Sequence, residues 1–279
     1  MIISGLKPQG GPMASWHAKE NTAVISWIGK IKNMKKKVKI ILVVVGLLFV
    51  GTAWVAYQYS AAIEKVSSED PLVWAPDIAA LEAKTKGIDG SGEAIIFIGS
   101  SSIRFWQTLA QDMEPMLVIQ HGFGGAKLND VVHYSGRLVN AYRPRAVVLF
   151  AGTNDINLKN SKSPQTLLAS YQDFVAKVRL DQPQLPVFYL AITPSMLRWE
   201  VWSIAQETNR LISDWSAGED TLYFIDTSAA LLGEDGTPYK ENYRWDGLHL
   251  SGEGYQIWSE IIRARLLQDL GDIAVEQQR

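Results

Sequence analysis

The chain has 279 residues, 47% of them hydrophobic, and contains no cysteine. It is long enough to bury a substantial core, and the missing cysteines exclude a disulfide framework, a thiolate nucleophile and a cysteine zinc site. The formal net charge of −2 conceals an asymmetry: residues 1–39 hold eight lysines and one glutamate, which leaves 19 basic and 28 acidic residues for the remainder, an acidic balance that argues against a nucleic-acid partner.

In chain order, residues 1–39 read as a basic N-terminal tail, with lysines concentrated at Lys30, Lys32, Lys35, Lys36, Lys37 and Lys39. Ile40–Tyr57 follows as eighteen residues without a charge, a length that approaches the roughly 30 Å of a bilayer hydrocarbon core. The lysines on its N-terminal side predict a cytoplasmic tail and a single-pass anchor in the inner membrane. Everything that follows is then expected in the periplasm or outside the cell. Trp54, Tyr57 and Tyr59 fit an interfacial belt at the outer end. A cleaved signal peptide beginning near Met34 is the rival reading, against which stand an apolar run longer than the usual one of roughly 7–15 residues and a poor cleavage pattern.

Residues 58–93 are expected to form a linker with one short helix over Asp77–Lys86, closed by the breaker Gly87-Ile-Asp-Gly-Ser-Gly92. From residue 94 to 270 the pattern alternates. Strands are predicted at Ala94–Ile98, Met116–Gln120, Ala146–Phe150, Val187–Ile192 and Leu222–Asp226, and helices at Ile103–Asp112, Leu128–Ala141, Pro164–Leu180, Arg198–Ser216 and Gly252–Leu270. That alternation predicts a three-layer α/β/α domain built on a five-stranded parallel sheet, followed by a tail over residues 271–279.

Four stretches fall just past predicted strands, where open parallel sheets place their ligands. The first is Gly99-Ser100-Ser101-Ser102, whose three hydroxyls are nucleophile candidates as well as good helix caps. The second, Gly122-Phe-Gly-Gly-Ala126, offers backbone N–H groups to an anion, but lacks the spacing of a phosphate or dinucleotide loop. The third, Ala151-Gly-Thr-Asn-Asp155, sets the amide of Asn154, a suitable oxyanion donor, at the same edge. The fourth, Trp245-Asp-Gly-Leu-His-Leu250, puts Asp246 and His249 on one turn. Of the four histidines, His17 precedes the apolar run, His133 sits in a helical pattern, and His121 flanks the glycine turn with no acid near it in sequence. His249 is the best candidate base, with Asp246 to orient it. No metal site is expected, since neither a His-x-x-x-His pair nor a dense His/Asp cluster is present, and no motif calls for a cofactor.

With these four stretches in order, residues 94–268 resemble the SGNH hydrolases, also called GDSL esterases/lipases. The resemblance implies a flavodoxin-like sheet and a serine mechanism. It places the nucleophile at Ser101, the base at His249 and the orienting acid at Asp246. Its oxyanion hole would consist of the N–H groups of Ser101 and Gly125 and the side chain of Asn154. Ser100 stands where the family commonly has Asp, a residue outside the triad.

The expected activity is that of a membrane-anchored carboxylic ester hydrolase acting on short acyl esters of carbohydrate or on lysophospholipid. Arg198 and Trp199 are expected to contact substrate, with Trp202 and Trp245 as further candidates for stacking on a sugar. Transfer of the acyl group to a cell-envelope sugar, with the same triad, is one alternative. A non-catalytic envelope binding protein is the other.

Overall fold

The computed structural model describes residues 35–88 and 92–276. Most of the basic tail, including His17, lies outside the described residues, as do residues 89–91 of the glycine breaker and the last three of the chain. Two compact units divide between Glu64 and Lys65.

Helix α1 runs from Lys36 to Ser67, ten residues beyond the predicted end of the apolar run. Ser60–Ser67 contains no glycine or proline to stop it. Its Leu47, Phe49 and Val50 are exposed, and none of its residues is buried. A helix that is apolar on every side belongs in a protein core or a bilayer, and this one is long and apolar enough to cross a membrane.

In the larger unit a 3-10 turn at Pro71–Trp74 leads into helix α2, Ala75–Thr85. The expected linker is therefore corrected: Trp74 and Ile78 are buried in the core. The spacing Trp74, Ile78, Leu81, Thr85 presents one face of a helix, and Pro76 in its first turn costs no hydrogen bond.

The five strands are β1 (Ile95–Gly99), β2 (Val118–Gly122), β3 (Ala146–Phe150), β4 (Val187–Leu190) and β5 (Leu222–Ile225), all parallel in the order β2-β1-β3-β4-β5. Parallel strands bury both faces, which accounts for their unbroken apolar sequence. The two-residue alternation then sorts each strand between two cores. Ile96, Ile98, Val147, Leu149, Val187 and Tyr189 face α2, α5 (Leu128–Leu138), α6 (Pro164–Val178) and α7 (Trp202–Ala217). Ile95, Phe97, Val148, Phe150 and Phe188 face α8 (Gly252–Glu276) and the short helices α3 (Ser101–Arg104) and α4 (Leu109–Asp112). In this second core Trp106 stacks on Tyr255 with ring centroids 5.4 Å apart, and Trp258 meets Phe150 edge-on at 4.8 Å.

Three further boundaries differ from expectation. The helix predicted over Ile103–Asp112 is broken into α3 and α4, because Gln120 Nε2 donates to the carbonyls of Ile103 (2.7 Å) and Trp106 (2.8 Å), taking an acceptor the helix would need. The one predicted from Arg198 begins as a 3-10 turn over Met196–Val201, held by the Leu197 N–H on Gly247 O at 3.0 Å. Helix α8 continues through the expected C-terminal tail as far as Glu276.

The chain steps from β1 outward to β2, then crosses back over β1 to β3. The crevice of such a sheet opens at the carboxyl ends of the two strands flanking that reversal, β1 and β3.

Candidate active site

At the end of β1 the backbone must turn abruptly. Gly99 adopts φ +148°, and a Cβ there would overlap the carbonyl oxygen of Phe150 on β3. Ser100 is buried and donates its N–H to that oxygen at 3.0 Å. Ser101 opens α3 half-buried, and Ser102 is buried beneath it, its carbonyl accepting from Tyr255 Oη at 2.7 Å. Among the described residues, the one of the three serine hydroxyls that meets a histidine is Ser101 Oγ, 2.9 Å from His249 Nε2.

His249 and Asp246 come from the loop ahead of α8. Asp246 Oδ2 lies 2.7 Å from His249 Nδ1, while its Oδ1 accepts the N–H groups of Leu248 and His249 at 3.0 Å each. Partial burial opposes the charge, but these three donors together hold the Asp246 carboxyl below its ordinary value. A carboxylate so placed fixes the proton on Nδ1 and leaves the Nε2 lone pair facing the serine. Phe105 packs edge-on against His249 with centroids 5.0 Å apart, and Arg104 and Arg244 lie over the Phe105 ring.

The glycine turn after β2 brings Gly125 alongside Val66 and Trp74. Gly125 has φ +78°, and a Cβ would sit 2.6 Å from Val66 Cγ2, so only glycine leaves this backbone accessible. Asn154 lies in a 3-10 turn after β3, half-buried, with Nδ2 donating to Ala126 O at 3.0 Å. An amide nitrogen carries two hydrogens. The bond to Ala126 occupies one and orients the other.

Asp155 is turned inward. It accepts the Leu128 N–H at 2.9 Å and Lys162 Nζ at 2.8 Å, burial pushing its carboxyl up while Lys162 and that N–H pull it down. Lys162 also pairs with Glu69 at 3.0 Å, and Lys127 reaches Glu69 at 2.5 Å. This network was invisible to motif reading, because Glu69 belongs to the stretch taken for a linker.

The remaining sequence candidates separate. Arg198 is half-buried, donating from Nη1 to Ile156 O at 2.7 Å. Trp199 stacks on Trp202, 6.3 Å between centroids, partly buried against the first core, whereas Trp245 is 97% exposed. His121 does not line a cleft. It is fully buried, with Nδ1 bonded to Leu138 O at 2.7 Å, and burial lowers its pKa. His133 is exposed on α5. Among the described residues no three His, Asp or Glu side chains converge as a metal site would require.

The family model of the GDSL-like lipase/acylhydrolases matches residues 88–257. The chain belongs to this family. It is a carboxylic ester hydrolase. The fold of the hydrolase recurs in solved structures. A GDSL-like lipase from Bacteroides thetaiotaomicron aligns with a TM-score of 0.56 at 18% identity, over 72% of this chain and 98% of its own. A catalytic mutant of an acetylxylan esterase from Geobacillus stearothermophilus gives 0.52 at 20% identity, over 65% and 95%. A carbohydrate esterase family 3 structure from Talaromyces cellulolyticus gives 0.51 at 19% identity, over 64% and 99%. No curated protein matches the hydrolase by sequence.

Proposed function

We propose that this hydrolase is a membrane-anchored serine esterase in which Ser101 attacks the ester carbonyl. His249 takes the hydroxyl proton and returns it to the leaving alcohol, and Asp246 holds the imidazole in the tautomer that accepts. The tetrahedral oxyanion is received by the N–H groups of Ser101 and Gly125 and by the second Nδ2 hydrogen of Asn154. Water, activated in turn by His249, releases the acyl group. The observation that carries this reading is the continuous hydrogen-bonded line Ser101 Oγ, His249, Asp246, with separations of 2.9 and 2.7 Å.

Helix α1 is the anchor in this reading, and the lysines before it support an orientation with the hydrolase domain, residues 94–270, on the outer face of the inner membrane. Short acyl esters of carbohydrate and lysophospholipids are the substrate classes proposed, with Arg198 and Trp199 in contact with substrate. The acetylxylan esterase and the carbohydrate esterase among the similar folds support the first.

The test is hydrolysis of a p-nitrophenyl ester series from acetyl to octanoyl by the detergent-solubilised chain, beside Ser101→Ala and Ser102→Ala. Activity lost in Ser101→Ala and retained in Ser102→Ala is expected. Turnover that survives Ser101→Ala contradicts the assignment.

A further inference from the structure

A cavity of about 380 Å³ adjoins the site, lined in part by Glu69, Lys127, Asn154, Asp155, Lys162 and Arg198. It shares Asn154 with the proposed oxyanion corner. Arg198 ties it to the histidine loop, since its neighbour Leu197 bonds to Gly247.

The charges in this cavity do not balance. Lys127 and Lys162 are matched by Glu69 and Asp155 through the contacts described above. Arg198 and Lys159, which also lines the cavity, have no carboxylate within 4.0 Å among the described residues. Arg198 is the more informative of the two. Among the described residues its buried Nε makes no hydrogen bond, and the one hydrogen bond of the guanidinium, from Nη1, goes to a neutral backbone carbonyl. Withdrawing a guanidinium from water is costly unless an anion replaces the lost solvation, and its planar fork matches the oxygens of a carboxylate or phosphate. The surplus of positive charge is local, because residues 40–279 carry 19 basic and 28 acidic side chains.

We infer that this cavity is an anion subsite, and that the preferred esters carry a carboxylate or phosphate group held by Arg198 while the carbonyl lies at Ser101. The inference rests on the proposed esterase reading and narrows its substrate class. Neutral short-chain esters are then poor substrates, cleaved without the contact to Arg198.

The test compares matched esters on the full chain in neutral detergent micelles. One pair sets 4-nitrophenyl valerate against the 4-nitrophenyl monoester of glutarate, the anion lying in the acyl half. The other sets glycerol monoacetate against acetylglycerol phosphate, the anion lying in the alcohol half. The anionic member of at least one pair is expected to show a kcat/KM about tenfold or more above its neutral partner, the size of one charge-assisted hydrogen bond, with the ratio shrinking as salt is added. Which pair responds distinguishes an acidic acyl group from a phosphorylated or lipid-like alcohol. Arg198→Gln should bring the ratio towards one, and Arg198→Lys should restore part of it. Ratios near one in both pairs, or a ratio indifferent to Arg198→Gln, overturn the subsite. Calorimetric binding of glutarate and of glycerol phosphate to Ser101→Ala separates this result from a failure of the esterase reading. If the parent cleaves no ester, binding of either anion that weakens in the double variant with Arg198→Gln still supports the subsite, and binding of neither rejects it.

Discussion

Replacing Asp246 by Asn separates the imidazole's orientation from its mere presence. The carboxylate now accepts three hydrogen bonds, two from the N–H groups of Leu248 and His249 at 3.0 Å and one from His249 Nδ1 at 2.7 Å. In Asp246→Asn the amide oxygen keeps the two backbone donors, which directs the amide NH2 at Nδ1. Two donors cannot face each other, so the imidazole moves its proton to Nε2 and presents an N–H to Ser101 in place of a lone pair. The general base is lost while every heavy atom stays where it was. A wrong tautomer in this arrangement costs about 10⁴ in kcat, or roughly 5 kcal/mol of barrier. Steady-state hydrolysis of a p-nitrophenyl ester measures the loss, and thermal unfolding of the same preparation shows that the fold is kept. Retention of more than about a tenth of the parental kcat would refute the role given to Asp246, because a difference that small, near 1.4 kcal/mol, is within reach of a slight displacement.

Three further outcomes are expected. Asn154→Ala should lower kcat by about 10²–10³ if it supplies one oxyanion donor, as progress curves at saturating ester would show, and unchanged turnover would remove Asn154 from the site. Gly99→Ala forces a side chain into φ +148° against the Phe150 carbonyl and should destabilise the fold by at least roughly 1–3 kcal/mol, read from the midpoint of urea unfolding. The buried His121 has a pKa below its ordinary value of 6.5, so the unfolded chain binds a proton that the folded chain refuses. Its contribution is complete above that ordinary value and is lost as pH falls below it. Unfolding midpoints at about pH 5 and about pH 7.5 should therefore differ more in the parent than in His121→Gln, and equal differences would contradict this burial argument.

The sheet was legible because buried parallel strands leave a signature that needs no partner to read: short β-branched and aromatic runs separated by helical spacing. Ala146–Phe150 agrees to the residue. What escaped was set by contacts distant in sequence. Nothing local to Ile103–Asp112 announces that Gln120 will withdraw two of its carbonyls, and nothing local to Trp74 or Ile78 says that a stretch beside a glycine breaker packs beneath the sheet. At the site, the spacing of Asp246 and His249 revealed a pair on one turn. Their meeting with Ser101, 148 positions earlier, could be read only through the family resemblance, since the strand order that joins the ends of β1 and β3 is not written in either segment. His121 shows the reverse, a histidine beside a functional-looking glycine turn that the fold uses to close a buried polar group between α2 and the end of α5.

The central claim, that Ser101 is the nucleophile, is tested most directly by incubating the detergent-solubilised chain with a fluorophosphonate and locating the adduct by peptide mass spectrometry. The account predicts one phosphonylated residue, Ser101, and no labelling of His249→Ala on the same timescale. An adduct on Ser100 or Ser102, or no adduct on a preparation that hydrolyses esters, would contradict it.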